Sequence, residues 1–136
     1  MLGVRQYTRE YFEGCRARVE ADVLAYEKMV AGGGVEAAGE EFEATFFNNM
    51  VILLDAYFVH RLRTVEGKDG NARNEVRVLC QSMLNHGNVL TADKAIHLSP
   101  AKSVLKYEYG NEIRVTEADF LRLSQAFFPE IESKYL

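Results

Sequence analysis

Apolar side chains recur at steps of three and four near the start of the chain, at Phe12, Cys15, Val19, Val23, Tyr26 and Val30. That is the period of a helix with one apolar stripe, and it predicts a first helix over about Arg9–Ala31. Arg16, Arg18, Glu20, Glu27 and Lys28 occupy the opposite face. Gly32, Gly33 and Gly34 end the pattern, since three successive glycines lose too much backbone entropy to stay helical. A second, longer helix is predicted from about Val35 to Arg63. Its first turns are acidic at Glu36, Glu40, Glu41 and Glu43, which suits the positive end of a helix dipole. From Met50 to Val59 it is apolar all round except at Asp55, the mark of a helix packed on several sides. This stretch is expected to form the centre of the fold.

Thr64 to Asn71 reads TVEGKDGN, a turn by its glycines, aspartate and asparagine. Asn71 is the expected N-cap of a third helix, about Ala72–His86, with Val76, Leu79, Cys80, Met83 and Leu84 on its stripe and Gly87 as its C-cap. Beyond it the pattern changes. Ile96 and Leu98 alternate with His97, and Ser99-Pro100 predicts one short helical turn. Lys106–Tyr109 and Glu112–Val115 flank Gly110-Asn111 and predict a β-hairpin. Thr116 with Asp119 resembles a capping box and opens a last helix carrying Phe120, Leu123, Phe127 and Ile131. Pro129 is expected to kink or end that helix. The fold class is thus all-α, a helical bundle with a long central helix and a small β-hairpin before the C-terminal helix. The glycine run reads as a turn between packed helices, so residues 1–136 form one domain.

Composition narrows the function classes. There are 16 basic and 20 acidic side chains, a net charge of −4, so the overall field does not steer the chain to nucleic acid. The longest apolar run, Met50 to Val59, is too short to span a bilayer, and the N-terminus has no apolar signal-peptide core. A cytoplasmic protein without membrane contact is the expectation. Cys15 and Cys80 lie on apolar stripes, where a free cysteine behaves as a small hydrophobe.

Three constellations bear chemistry. Glu41, Asn48 and Asp55 are spaced by seven and line one face of the second helix, with Thr45 between the first two. A carboxylate on an apolar helix must find a partner or change its pKa, so Asp55 is either a group in a dry pocket or half of a structural pair. A basic turn brings His60, Arg61, Arg63, Lys68, Asn71, Arg73 and Arg77 close to a helix N-terminus, the makings of an anion site. Its glycines, lysine and hydroxyls are not in Walker order. The three histidines, His60, His86 and His97, have no helical pair spacing, so no metal site and no cofactor are predicted. No nucleophile elbow or dinucleotide-binding glycine turn is present, and the catalytic residues stay unknown.

The stretch from Tyr57 to Asn85, containing GKDGN and NEVR, and the tail from Ser99 to Glu132 resemble a group of small bacterial proteins with no known activity. The resemblance implies a bacterial, cytoplasmic origin and carries over no site. In size and long helices the chain is also similar to the HEPN nuclease domains. Their signature is an arginine, four to six intervening residues and then a histidine, a spacing no arginine has here. The leading expectation is a non-enzymatic interaction or regulatory domain, acting as a homodimer through surplus apolar surface on its helices. The alternative is a binding protein or enzyme for a phosphorylated small molecule or nucleic acid, using the basic turn 60–77 with Asp55 beside it.

Overall fold

A computed structural model describes residues 6–33, 39–58 and 67–136. Among them are four α-helices: α1 (Arg9–Ala31), α2 (Gly39–Tyr57), α3 (Ala72–Asn85) and α4 (Glu117–Tyr135), with a 3₁₀ turn at Pro100–Lys102. α1 takes the bounds its periodicity predicts. Thr8 caps it, accepting from the Tyr11 amide at 3.0 Å, and Phe12, Cys15, Val19, Val23 and Tyr26 are buried. Val30, also on the stripe, is exposed because the helix end projects past the core. α1 runs antiparallel to both α2 and α4. At one end Tyr11 donates to the Tyr57 carbonyl and Arg9 pairs with Glu132, while at the other Tyr26 packs on Phe47. Phe58 ties the lower end together, touching the rings of Phe12, Phe127 and Phe128.

α2 ends at Tyr57, short of the predicted Arg63; residues 35–38 and 59–63 of that expectation lie outside the described residues. Its closing carbonyls are taken by side chains from other helices: Tyr57 O by the Tyr11 hydroxyl at 2.6 Å, Phe58 O by Arg73 at 2.6 Å. α2 packs against α1, α3 and α4, but α3 is the more completely buried helix. Every side chain from Arg73 to Cys80 is buried, although this helix carries two arginines, an asparagine and a glutamate. α2 keeps Ile52, Leu53 and Asp55 only partly covered. A charged helix can be innermost because each charged group reaches a partner before it loses water.

The β-hairpin is not formed, and no sheet occurs among the described residues. The Gly110-Asn111 turn does close, with Asn111 N donating to Glu108 O at 3.0 Å. Its two arms then part. Lys106 turns the chain out of an extended path at φ 59°, and the amides of Val104 and Leu105 donate to the buried Glu75 carboxylate at 2.8 and 3.0 Å. The second arm pairs with residues 88–90 instead, through one antiparallel bridge, Val89 with Glu112.

The capping box at Thr116 and Asp119 forms as predicted. Pro129 does not end α4, which continues to Tyr135 and buries Ile131 and Tyr135 beyond it. The proline sits on the exposed side, so the buried stripe Phe120, Leu123, Phe127 and Ile131 passes it undisturbed. No helix of the described residues is long and apolar enough to cross a membrane.

Candidate functional site

The polar lane of α2 exists as one face, and each member grips a different part of the fold. Glu41 pairs with Arg114 at 2.9 Å. Asn48 accepts from Val115 N and donates to Ile113 O, both at 3.0 Å, so a single amide replaces the sheet partner that this segment lacks. Asp55 receives Arg73 Nη1 at 2.8 Å and Arg77 Nη1 at 3.1 Å. Arg73 has no exposed surface and Arg77 only 3%. The guanidinium of Arg73 also lies over the Phe127 ring, 5.8 Å from its centre. Desolvation pushes the neighbouring Cys80 thiol up to about 12, and the Asp55 carboxylate beside it adds to the effect. A thiol held protonated in this way is no nucleophile. Cys15 is likewise free and buried.

The basic turn is only partly described. His60, Arg61 and Arg63 lie outside the described residues, and Arg73 and Arg77 point inward to Asp55. Asn71 caps α3, accepting from Asn74 N at 2.9 Å and donating to Asp69 at 2.9 Å. Asn74 in turn bridges Gly70 N and Gly67 O, each at 3.0 Å. The polar groups at this helix start are therefore used within the turn itself. Lys68 is exposed and shares with Arg77 a hollow of about 90 Å³, well under the roughly 300 Å³ at which small-molecule pockets begin. No three histidine, cysteine or acidic side chains among the described residues are placed to hold a metal ion.

A larger opening lies elsewhere, between α1 and α4: a groove of about 590 Å³ with a mainly apolar lining. Val19, Val23, Phe120 and Phe128 form its floor. Leu24 on α1 and Leu121 on α4 stand at its lips with 50% and 36% of their surface exposed. Both follow a buried stripe residue directly, and that is the sequence signal for them: an apolar side chain one place off the stripe, on a face otherwise polar. Along α1 the groove runs from Arg16 to Glu27, eleven residues or roughly 16 Å apart and on one face. Gln125 and Pro129 line the α4 side; proline has no N–H to give to the Gln125 carbonyl four residues back.

The acidic end is crowded. Glu27 of α1 and Glu117 of α4 bring their carboxyl groups together, with Glu43 of α2 nearby. The Glu27 carboxyl, then desolvation and the negative charges of Glu27 and Glu43, raises Glu117 to about 7. Glu43 is itself engaged at the α4 N-terminus, accepting from Glu117 N at 2.8 Å. Sequence spacing gave no access to this cluster, because its members come from three helices.

No protein-family model matches the chain, and neither a curated protein nor a solved structure matches it significantly.

Proposed function

We propose that this chain is a non-enzymatic interaction or regulatory domain that works as a homodimer, joined across the groove between α1 and α4. The observation that carries the reading is the groove itself, an apolar floor with exposed leucines on both lips. A contiguous apolar patch rimmed by polar groups is the usual form of a protein-binding face. The polar side chains with chemistry to offer support the same reading from the other side. Asp55, Arg73, Arg77, Asn48 and Glu75 all make hydrogen bonds or ion pairs within the fold.

Sedimentation velocity on the wild type and on Leu24→Glu tests it. The expected result is a wild-type dimer whose dissociation constant weakens at least about tenfold in the variant, since an apolar contact is replaced by a charge needing water. The variant's circular dichroism should be unchanged, because Leu24 is half exposed in the single chain. A wild type that stays monomeric, or a variant that dimerises as well as the wild type, would overturn the proposal.

A further inference from the structure

The ends of the groove differ in charge, and the difference has a consequence for how its occupant lies. At one end the part-exposed Arg16 guanidinium is ion-paired with Glu13 of its own helix and lies over the Phe12 ring. At the other, Glu27 lines the groove and the Glu43 carboxylate accepts from Glu117 N at 2.8 Å, so acidic side chains from three helices gather there. Like charges so placed repel, and a cation arriving there would relieve the repulsion. The occupant should therefore present an apolar ridge and deliver a guanidinium or ammonium group at the acidic end.

We infer that the occupant is a second copy of this chain laid antiparallel across a two-fold axis, with Arg16 of the partner subunit at Glu27 and Glu117. The inference rests on the dimer reading above and adds its register. In an isologous interface every contact occurs twice, so a helix with a cation at one end and anions at the other matches itself only when antiparallel. Pairing position 16 with position 27 puts the axis between residues 21 and 22 of α1. Leu24 of each copy then lies over the groove floor beside Val19 of the other. The two α1 dipoles also oppose each other in this arrangement, which is favourable, whereas a parallel pairing would align them.

Charge exchange tests the register. Arg16→Glu adds a carboxylate to the Glu27, Glu43 and Glu117 cluster at each end of the interface, and Glu27→Arg sets two cations there beside the remaining Glu43 and Glu117. Arg16→Glu alone should dimerise at least about tenfold more weakly than the wild type, and Glu27→Arg alone more weakly by a smaller factor, since Glu43 and Glu117 stay in place. Mixed together they should form a heterodimer, because the new carboxylate at 16 then meets the new guanidinium at 27 and both native groups still meet each other. The double variant should likewise regain self-association. Native mass spectrometry of the mixture reads the heterodimer directly, and thermal melts of each variant check that it folds. A wild type that is monomeric fails the dimer reading and this one with it. A wild-type dimer whose two variants form no heterodimer overturns the register alone, as does binding of a basic amphipathic peptide in the groove of an intact dimer.

Discussion

Replacing Asp55 by alanine removes the carboxylate that Arg73 and Arg77 share. Arg73 approaches it at 2.8 Å with no exposed surface, Arg77 at 3.1 Å with almost none, and Asp55 itself is 15% exposed. Breaking a buried pair by deleting one partner costs about 3–5 kcal/mol, since the remaining charge has already given up its water. Here two guanidinium groups lose the same anion and are left beside each other, which argues for the upper part of that range. Arg73 keeps its hydrogen bond to the Phe58 carbonyl at 2.6 Å, which argues for the lower. A loss of about 3–4 kcal/mol follows, set against a total of roughly 7–20 kcal/mol for a chain of this length. Asp55→Asn keeps one acceptor oxygen in place and should lose about half as much. Urea unfolding followed by circular dichroism measures both, with the midpoint falling and the slope constant. The Cys80 thiol supplies an independent readout. Asp55 contributes to raising it to about 12, so its titration should move down in the alanine variant while burial still holds it above an ordinary thiol. A loss under about 1 kcal/mol for Asp55→Ala would refute the reasoning, because it would mean that the two arginines do not depend on this carboxylate.

Two further outcomes follow from local geometry. Gly70 has φ +84°, and a methyl group there would lie 2.7 Å from the His97 carbonyl oxygen, a backbone atom held by the hydrogen bond from His97 N to Lys68 O. Gly70→Ala should cost roughly 3 kcal/mol or more, while Gly110→Ala, at φ +93° with open space around it, should cost only about 1 kcal/mol; equal losses in thermal melts would show that the clash is relieved. Glu117, raised to about 7 in the folded chain, binds its proton more tightly there than when unfolded, so its contribution to stability is complete below the ordinary carboxylate value and is lost as pH rises through about 7. Glu117→Gln should therefore gain on the parent between about pH 4.5 and 7, measured in the Leu24→Glu background so that pairing does not intervene, and a difference flat across that range would refute it.

The helices were legible from local order alone. The stripe from Phe12 to Tyr26, the Asn71 cap and the Thr116–Asp119 capping box act within one or two turns, and the chain shows them without reference to its neighbours. The sequence also marked Asp55 as a group needing a partner, since a carboxylate among apolar residues has few alternatives. Which partner it takes was beyond local reading, because Arg73 and Arg77 lie on another helix. The same limit hid the hairpin's fate. Glu108 to Asn111 turns as its residues dictate, while Glu75, Asn48 and residues 88–90 compete for the backbone on either side and win it. It also reversed the order of burial: α3, polar by composition, became innermost because tertiary pairing cancels the cost of its charges, while the more apolar α2 kept an open side. The groove is the clearest case. Leu24 and Leu121 are ordinary helix residues in sequence, and only the packing of α1 against α4 sets them on two lips of one cleft, with carboxylates from three helices at its end. Periodicity fixes which face of a helix is apolar; which neighbour that face meets, and what is left uncovered, is decided by the sum of contacts across the whole fold.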